Sequence, residues 1–193
     1  MDTKDYRQVV SDRSITSSKS FNDFLYGWLV VHSEEGQEGR FVLKRSFVFS
    51  KMENELGMTR KTLAKYFDYL VEVGLVIEVG DKWVLVDLKD KGFWVETEIL
   101  KRLVELRRRY VISTYVYLVK GYWASGKTQL IILLKNIKEY MGIGVNTDSN
   151  NYLITDLFET FREMGLLNCQ LWYDSDTGKR FYKLSGVGKT NYF

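Results

Sequence analysis

The residues with the clearest chemical potential in this chain are cations carried at helical spacing. The segment TRKTLAKYFDYLVEVG (59–74) sets Leu63, Phe67, Leu70 and Val71 on one helical face, with Thr59 able to cap the helix and Gly74 to stop it. Outside that face stand Arg60, Lys61, Thr62 and Lys65, with Tyr66 and Tyr69 further along. Arg or Lys can pair with the major-groove edge of guanine while neighbouring donors hold phosphates, so a helix of this pattern can read a duplex. The competing explanation is a solvated helix face, which is what most charged faces are. Lys44, Arg45 and Lys82, on a flanking strand and a hairpin, would widen the same basic footprint. Arg107, Arg108 and Arg109 form the densest positive run, either a phosphate clamp or a helix end satisfying its dipole.

A later segment, SNNYLITDLFETFREMG (149–165), repeats the apolar spacing through Ile154, Leu157, Phe158 and Phe161. Its leading residues are Asp148, Ser149, Asn150, Asn151 and Tyr152, of which Asn150 and Asn151 could read adenine, with Lys179, Arg180 and Lys183 on a following hairpin. Asp156 and Glu159 work against phosphate binding there, so protein contact is as good a reading as DNA contact. One motif argues for different chemistry. GYWASGKT (121–128) satisfies G-x-x-x-x-G-K-[ST], the loop that wraps a triphosphate. Only 65 residues follow Thr128, too few for the parallel sheet that carries such a loop, so the match reads as a turn between a helix and a strand. DSDTG (174–178) lacks the distal Glu of a calcium loop. Trp83, Trp172 and Tyr173 could stack on single-stranded bases, but their strand positions favour burial.

Composition narrows the classes. One Cys (Cys169) excludes an intrachain disulfide, and with one His (His32) it also excludes a zinc site of Cys and His ligands and most His-dependent triads. No cofactor, metal or catalytic residue is expected. Lys plus Arg is 28 against 25 for Asp plus Glu, so any nucleic-acid affinity must come from where the charge sits and not from its total. No run approaches eighteen apolar residues and the N-terminus has no signal-peptide core, which points to a cytoplasmic protein without a membrane partner. There is no proline, so turns must be made by Gly, Asn and Asp.

These segments need elements to position them. Residues 1–19 are Ser/Thr-rich and read as a mobile arm. FNDFLYGWLVVH (21–32) has the spacing of a helix with one buried face, RFVLKRSFVF (40–49) is β-prone, and SKMENELG (50–57) is a short helix. After the 59–74 helix, LVIEVGDKWVLVDL (75–88) alternates around Gly80–Asp81, a hairpin signal. FWVETEILKRLVELRRR (93–109) carries Val95, Ile99, Leu103 and Leu106 on one helical stripe. The order then recurs: helix 111–125, strand 128–134, short helix 135–142, helix 149–165 and hairpin 166–185. Helix, strand, short helix, turn, longer helix and hairpin describe a winged helix-turn-helix. The expected fold is therefore α+β and helix-rich. It comprises an arm (1–19), a first winged-helix domain (20–90), a linker helix (91–110) and a second winged-helix domain (111–193).

The second half, VISTYVYLVKGYWASGK…LLKNIKEYMGI…SNNYLITDLFETFREMGLL, resembles the winged-helix domains of replication initiators and replisome-organiser proteins of Gram-positive phages and plasmids. The first half, ELGMTRKTLAKYFDYLVEVGLV, is similar to the generic version of that unit. Together the resemblance covers roughly residues 20–185. It implies sequence-specific binding of double-stranded DNA, self-association as a homodimer, recruitment of replication proteins, and no catalysis. Carried over by position, Thr59, Arg60, Lys61 and Lys65 would contact DNA, as would Asn150 and Asn151. The amide-rich, acidic second helix departs from that pattern. A transcriptional regulator would share every feature named, and a protein-interaction adaptor would share the fold but bind no DNA.

Overall fold

The computed structural model describes residues 5–36, 40–144 and 151–187. It is a mixed α+β protein, with eight α-helices and nine strands among the described residues. The chain divides into two compact units, Met1–Ile112 and Ser113–Phe193.

The first unit opens with β1 (Tyr6–Val10) and the short α1 (Arg13–Thr16), whose first turn is capped by the Asp12 carboxylate accepting the Ser14 amide at 2.8 Å. α2 (Asp23–His32) follows, capped by Asn22, and is apolar around its circumference: Phe24, Leu25, Tyr26, Trp28, Leu29 and Val30 are all buried. After β2 (Glu34–Glu35) and β3 (Phe41–Lys44) come α3 (Arg45–Leu56) and α4 (Arg60–Glu72). Gly57, at φ +62°, closes α3 in the left-handed region that a side chain would resist, and the chain turns directly into α4. β4 (Val76–Val79) and β5 (Lys82–Leu85) form a hairpin through Gly80–Asp81, and the sheet order is β2-β3-β5-β4. A 3₁₀ turn (Lys89–Lys91) then leads to β6 (Gly92–Glu96) and α5 (Thr97–Glu105).

The second unit contains α6 (Val111–Ser125), whose first two residues fall in the first unit, then β7 (Leu130–Leu133), α7 (Leu134–Tyr140), α8 (Asn151–Glu163), β8 (Leu167–Asp174) and β9 (Lys179–Val187). Its sheet order is β7-β9-β8. The first unit has the same arrangement in α2, β3, α3, α4, β4 and β5, again with the last strand in the middle. Ile154, Leu157, Phe158 and Phe161 are buried, as their spacing requires. Phe158 stacks on Tyr182 at 3.8 Å, and the Tyr182 hydroxyl lies 2.8 Å from that of Thr155. Cys169 donates to the Phe158 carbonyl, and burial pushes its thiol pKa up to about 11, as suits a core residue.

Several expectations are corrected. Residues 1–4 lie outside the described residues, and residues 5–19 are not a mobile arm: β1 pairs antiparallel with β6, and Val9, Val10, Ile15 and Thr16 are buried. The reason is α2, whose apolar surface exceeds the single face expected of it and needs a second cover, supplied by β1 and α5. Residues 91–110 are not a linker helix. Their first part is strand β6, and α5 packs on α2 inside the first unit. The strand read over 40–49 stops at Lys44, and RSFVF begins α3, burying Val48, Phe49 and Met52 at helical spacing. Val71, assigned to the inner face of α4, is exposed.

Deleting residues 1–10 tests this cover. Loss of Val9 and Val10 alone removes about 3 kcal/mol or more of apolar burial, so thermal denaturation should show a large fall in Tm. A dispensable arm would leave Tm unchanged.

Candidate nucleic-acid interface

Three aromatic rings join α3, α4 and β5 into one block. Phe49 and Phe67 meet edge to face at 5.5 Å, and Trp83 lies 4.5 Å from Phe67 and 5.7 Å from Phe49. Packed aromatic pairs of this kind contribute about 0.5–1.5 kcal/mol each beyond burial. Trp83 also donates its indole N–H to Glu78 at 3.0 Å across the hairpin. Helix α4 and the β4–β5 hairpin are therefore held to the same core, and the backbone positions that carry their cations keep fixed spacings.

At the start of α4, the Thr59 hydroxyl accepts the Thr62 amide at 3.3 Å. The first turn holds no acidic residue; it holds Arg60 and Lys61. The free N–H groups there carry the positive end of the helix dipole, so each cation costs about 0.3–1 kcal/mol of the stabilisation that an acidic residue would bring. Arg60 is exposed, 3.7 Å from Glu53 and with its guanidinium 5.4 Å from the Phe49 ring. Lys61, Thr62 and Lys65 are exposed, and Lys61 and Lys65 have no ion pair among the described residues. Tyr66 and Tyr69 are half-buried along the same helix.

The sheet adds a second basic element. Lys44 and Lys82 are direct cross-strand partners on the outer face, opposite to the buried pair Leu43 and Trp83. Like charges in register are destabilising, and neither lysine has an ion pair among the described residues. Arg45 begins α3 instead of lying on the strand. It reaches Glu78 at 3.3 Å and lies about 6 Å from the rings of Phe49 and Trp83, so it is committed to the hairpin.

The arginine run is placed elsewhere. Arg107 donates to the Glu55 carbonyl at 2.8 Å, closing the end of α3. Arg109 donates to the Ser18 and Lys19 carbonyls at 3.2 and 2.8 Å and covers the Tyr110 ring. Arg107 and Tyr110 both have positive φ, and buried Asp23 secures the turn by accepting the Tyr110 amide at 2.6 Å. Arg107 and Arg109 thus hold carbonyls of their own unit, and Arg107 is exposed. Arg108 is half-buried and also has an interaction of its own.

In the second unit, Asn150 lies outside the described residues. Asn151 is buried, and its backbone carbonyl accepts the Thr155 hydroxyl at 3.0 Å. Lys179 and Arg180 line a cleft of about 320 Å³ together with Lys135, Lys138, Asn151 and Tyr173. Lys135 is exposed and Lys138 is buried, and their i, i+3 spacing on a short helix brings both to this cleft. Lys135 lies 3.7 Å from Glu139. Trp172 and Tyr173 are exposed, against the burial expected of them.

The GYWASGKT segment does not have the strand–loop–helix form of a triphosphate loop. Residues 121–125 belong to α6, where backbone amides are used within the helix, and Gly126 at φ +60° turns the chain toward β7. Among the described residues, no helix is long and apolar enough to cross a membrane. No protein-family model matches the chain, and no curated protein matches it.

Two substitutions check these placements. Asp23→Ala strands the half-buried Tyr110 amide and should cost about 1 kcal/mol or more in chemical denaturation; no loss would mean that the turn does not depend on Asp23. Lys82→Glu replaces a like-charge pair by an opposite one and should raise stability by about 0.2–1 kcal/mol.

Proposed function

We propose that each unit is a winged helix-turn-helix, and that the first binds double-stranded DNA through the N-terminal turn of α4 and the β4–β5 hairpin. The observation that carries the reading is the pair Arg60 and Lys61 at the positive end of their own helix, with no acidic residue in that turn. An anion placed there meets the helix dipole, free backbone N–H groups and two cations together. Lys65 extends the surface by one turn, and the Lys44–Lys82 pair supplies a second cationic patch that a phosphate would relieve. The repeated element and sheet order favours a tandem protein, and the cleft with Lys135, Lys179 and Arg180 favours the second unit as a further nucleic-acid contact.

On this reading the protein is a non-enzymatic, sequence-specific DNA-binding protein serving replication initiation or replisome organisation of a mobile element. Where its site lies, at an origin or at a promoter, separates that role from transcriptional regulation.

The test is fluorescence anisotropy on mixed-sequence duplex DNA at two salt concentrations, followed by site selection. Binding should weaken steeply with salt. Arg60→Ala should cost about 1–3 kcal/mol and relax specificity, whereas Lys61→Ala should weaken all sequences alike and reduce the salt slope by about one. An absence of salt-dependent binding would leave an adaptor that recognises protein.

A further inference from the structure

The three-stranded sheet of the second unit is packed on one face and open on the other. Ile132, Cys169, Tyr182 and Leu184 lie on the packed face and are buried. The antiparallel registers place Leu133, Phe181 and Trp172 side by side in one row across the open face. Trp172 is 59% exposed, and its ring centroid lies 6.4 Å from that of half-buried Phe181. Lys179 and Lys183 flank Phe181 along the same face of β9, each about 7 Å away by the strand repeat. Lys183 has no ion pair among the described residues, and Lys179, directly opposite Asp174, feels its charge without a close ion pair. The carboxylate on this face, Asp174, is turned into its own hairpin, where it accepts the Asp176 and Thr177 amides and the Thr177 hydroxyl.

We propose that this open sheet face binds single-stranded nucleic acid, with unpaired bases stacking on Trp172 and Phe181 and phosphates meeting Lys179 and Lys183. An exposed indole beside a phenyl ring offers π-faces to any base, and cations on both sides track the strand that links successive bases. A duplex keeps its base faces stacked and has nothing to place on these rings. Charge also decides against the other occupants of such a face. A second copy of the same surface would bring Lys179 and Lys183 against their equivalents, and an apolar protein partner would bury them without a counter-charge. This site shares Lys179 with the cleft of the second unit, but it uses no residue of α4 and does not depend on duplex binding by the first unit.

The experiment measures fluorescence anisotropy of a labelled fifteen-residue oligothymidylate, which cannot form a duplex, with the intact protein at low salt. Binding is expected. Trp172→Ala should weaken it about tenfold, within the range for one lost stacking partner, while Trp172→Phe keeps most of it. Lys183→Ala should weaken binding and flatten its salt dependence. Trp172 is a surface residue, so thermal melting should show Trp172→Ala folded as the unaltered chain is. Arg60→Ala and Lys61→Ala should leave oligothymidylate binding intact, which separates this site from the duplex surface. The proposal is overturned if oligothymidylate does not bind, if Trp172→Ala and Phe181→Ala bind it as the unaltered protein does, or if Lys61→Ala abolishes binding. It is also overturned if sedimentation shows that Trp172→Ala only converts a dimer to a monomer, which would make the face an interface between copies.

Discussion

A ten-residue helix that is apolar around its whole circumference stays out of water only if partners cover it on every side, and the first unit is assembled around that requirement. Each large side chain of α2 that is buried contributes about 1.5–3 kcal/mol, so leaving one side open would forfeit several such terms. β3, β1 and α5 all pack on α2. Gly27 allows a close approach, because a Cβ there would collide with the Ile112 side chain and press on Val104. The polar ends of the helix are used as well. Asp23 fixes the turn after α5, and His32 stacks on Trp28 at 3.9 Å, its pKa lowered mainly by burial.

Against that well-satisfied interior, the cationic edge of the first unit carries costs that folding does not explain. A helix selected for stability alone would have an acidic first turn at α4, and a sheet selected for stability would not set Lys44 opposite Lys82. Each cost is a fraction of a kcal/mol to about one, small beside the aromatic block formed by Phe49, Phe67 and Trp83. That difference in scale lets the fold tolerate such an edge. The proposed duplex-binding reading of this edge rests on such local costs, which bring no benefit to packing.

Elements whose partners lie nearby were legible in the sequence. Leu63, Phe67 and Leu70 announce α4, Gly80–Asp81 announces its hairpin, and the 111–185 elements follow from the same periodicities. The rest depended on distant partners. β1 is five residues long, and its pairing strand lies more than eighty residues away, so nothing local distinguishes YRQVV from a loose arm. Val95, Ile99 and Leu103 are spaced at multiples of four and mimic one helical stripe, but the strand–helix junction at Glu96–Thr97 falls inside it. The candidate site was legible as charge and not as geometry. Arg60, Lys61 and Lys65 project as their helix phase demands, whereas Arg107 and Arg109 bind carbonyls that no spacing rule could foresee. Exposure of Trp172 was invisible for a related reason. Alternation shows that a strand has two faces but not which of them the helices will cover.

The shared sheet order has a consequence for how the protein is made. In each unit the central strand, β5 or β9, is the last of its sheet to be synthesised, so the strands it bridges must wait for it with their edges open. The first unit waits longer, because α2 is not fully covered until residues 92–105 have also left the ribosome. Local helices can form early in such a chain, but the closing contacts span about eighty residues in the first unit and fifty in the second, which slows assembly and lengthens the exposure of apolar edges. A ribosome that pauses before residue 105 would therefore hold out a nascent chain with an uncovered α2, a natural client for chaperones that recognise apolar segments.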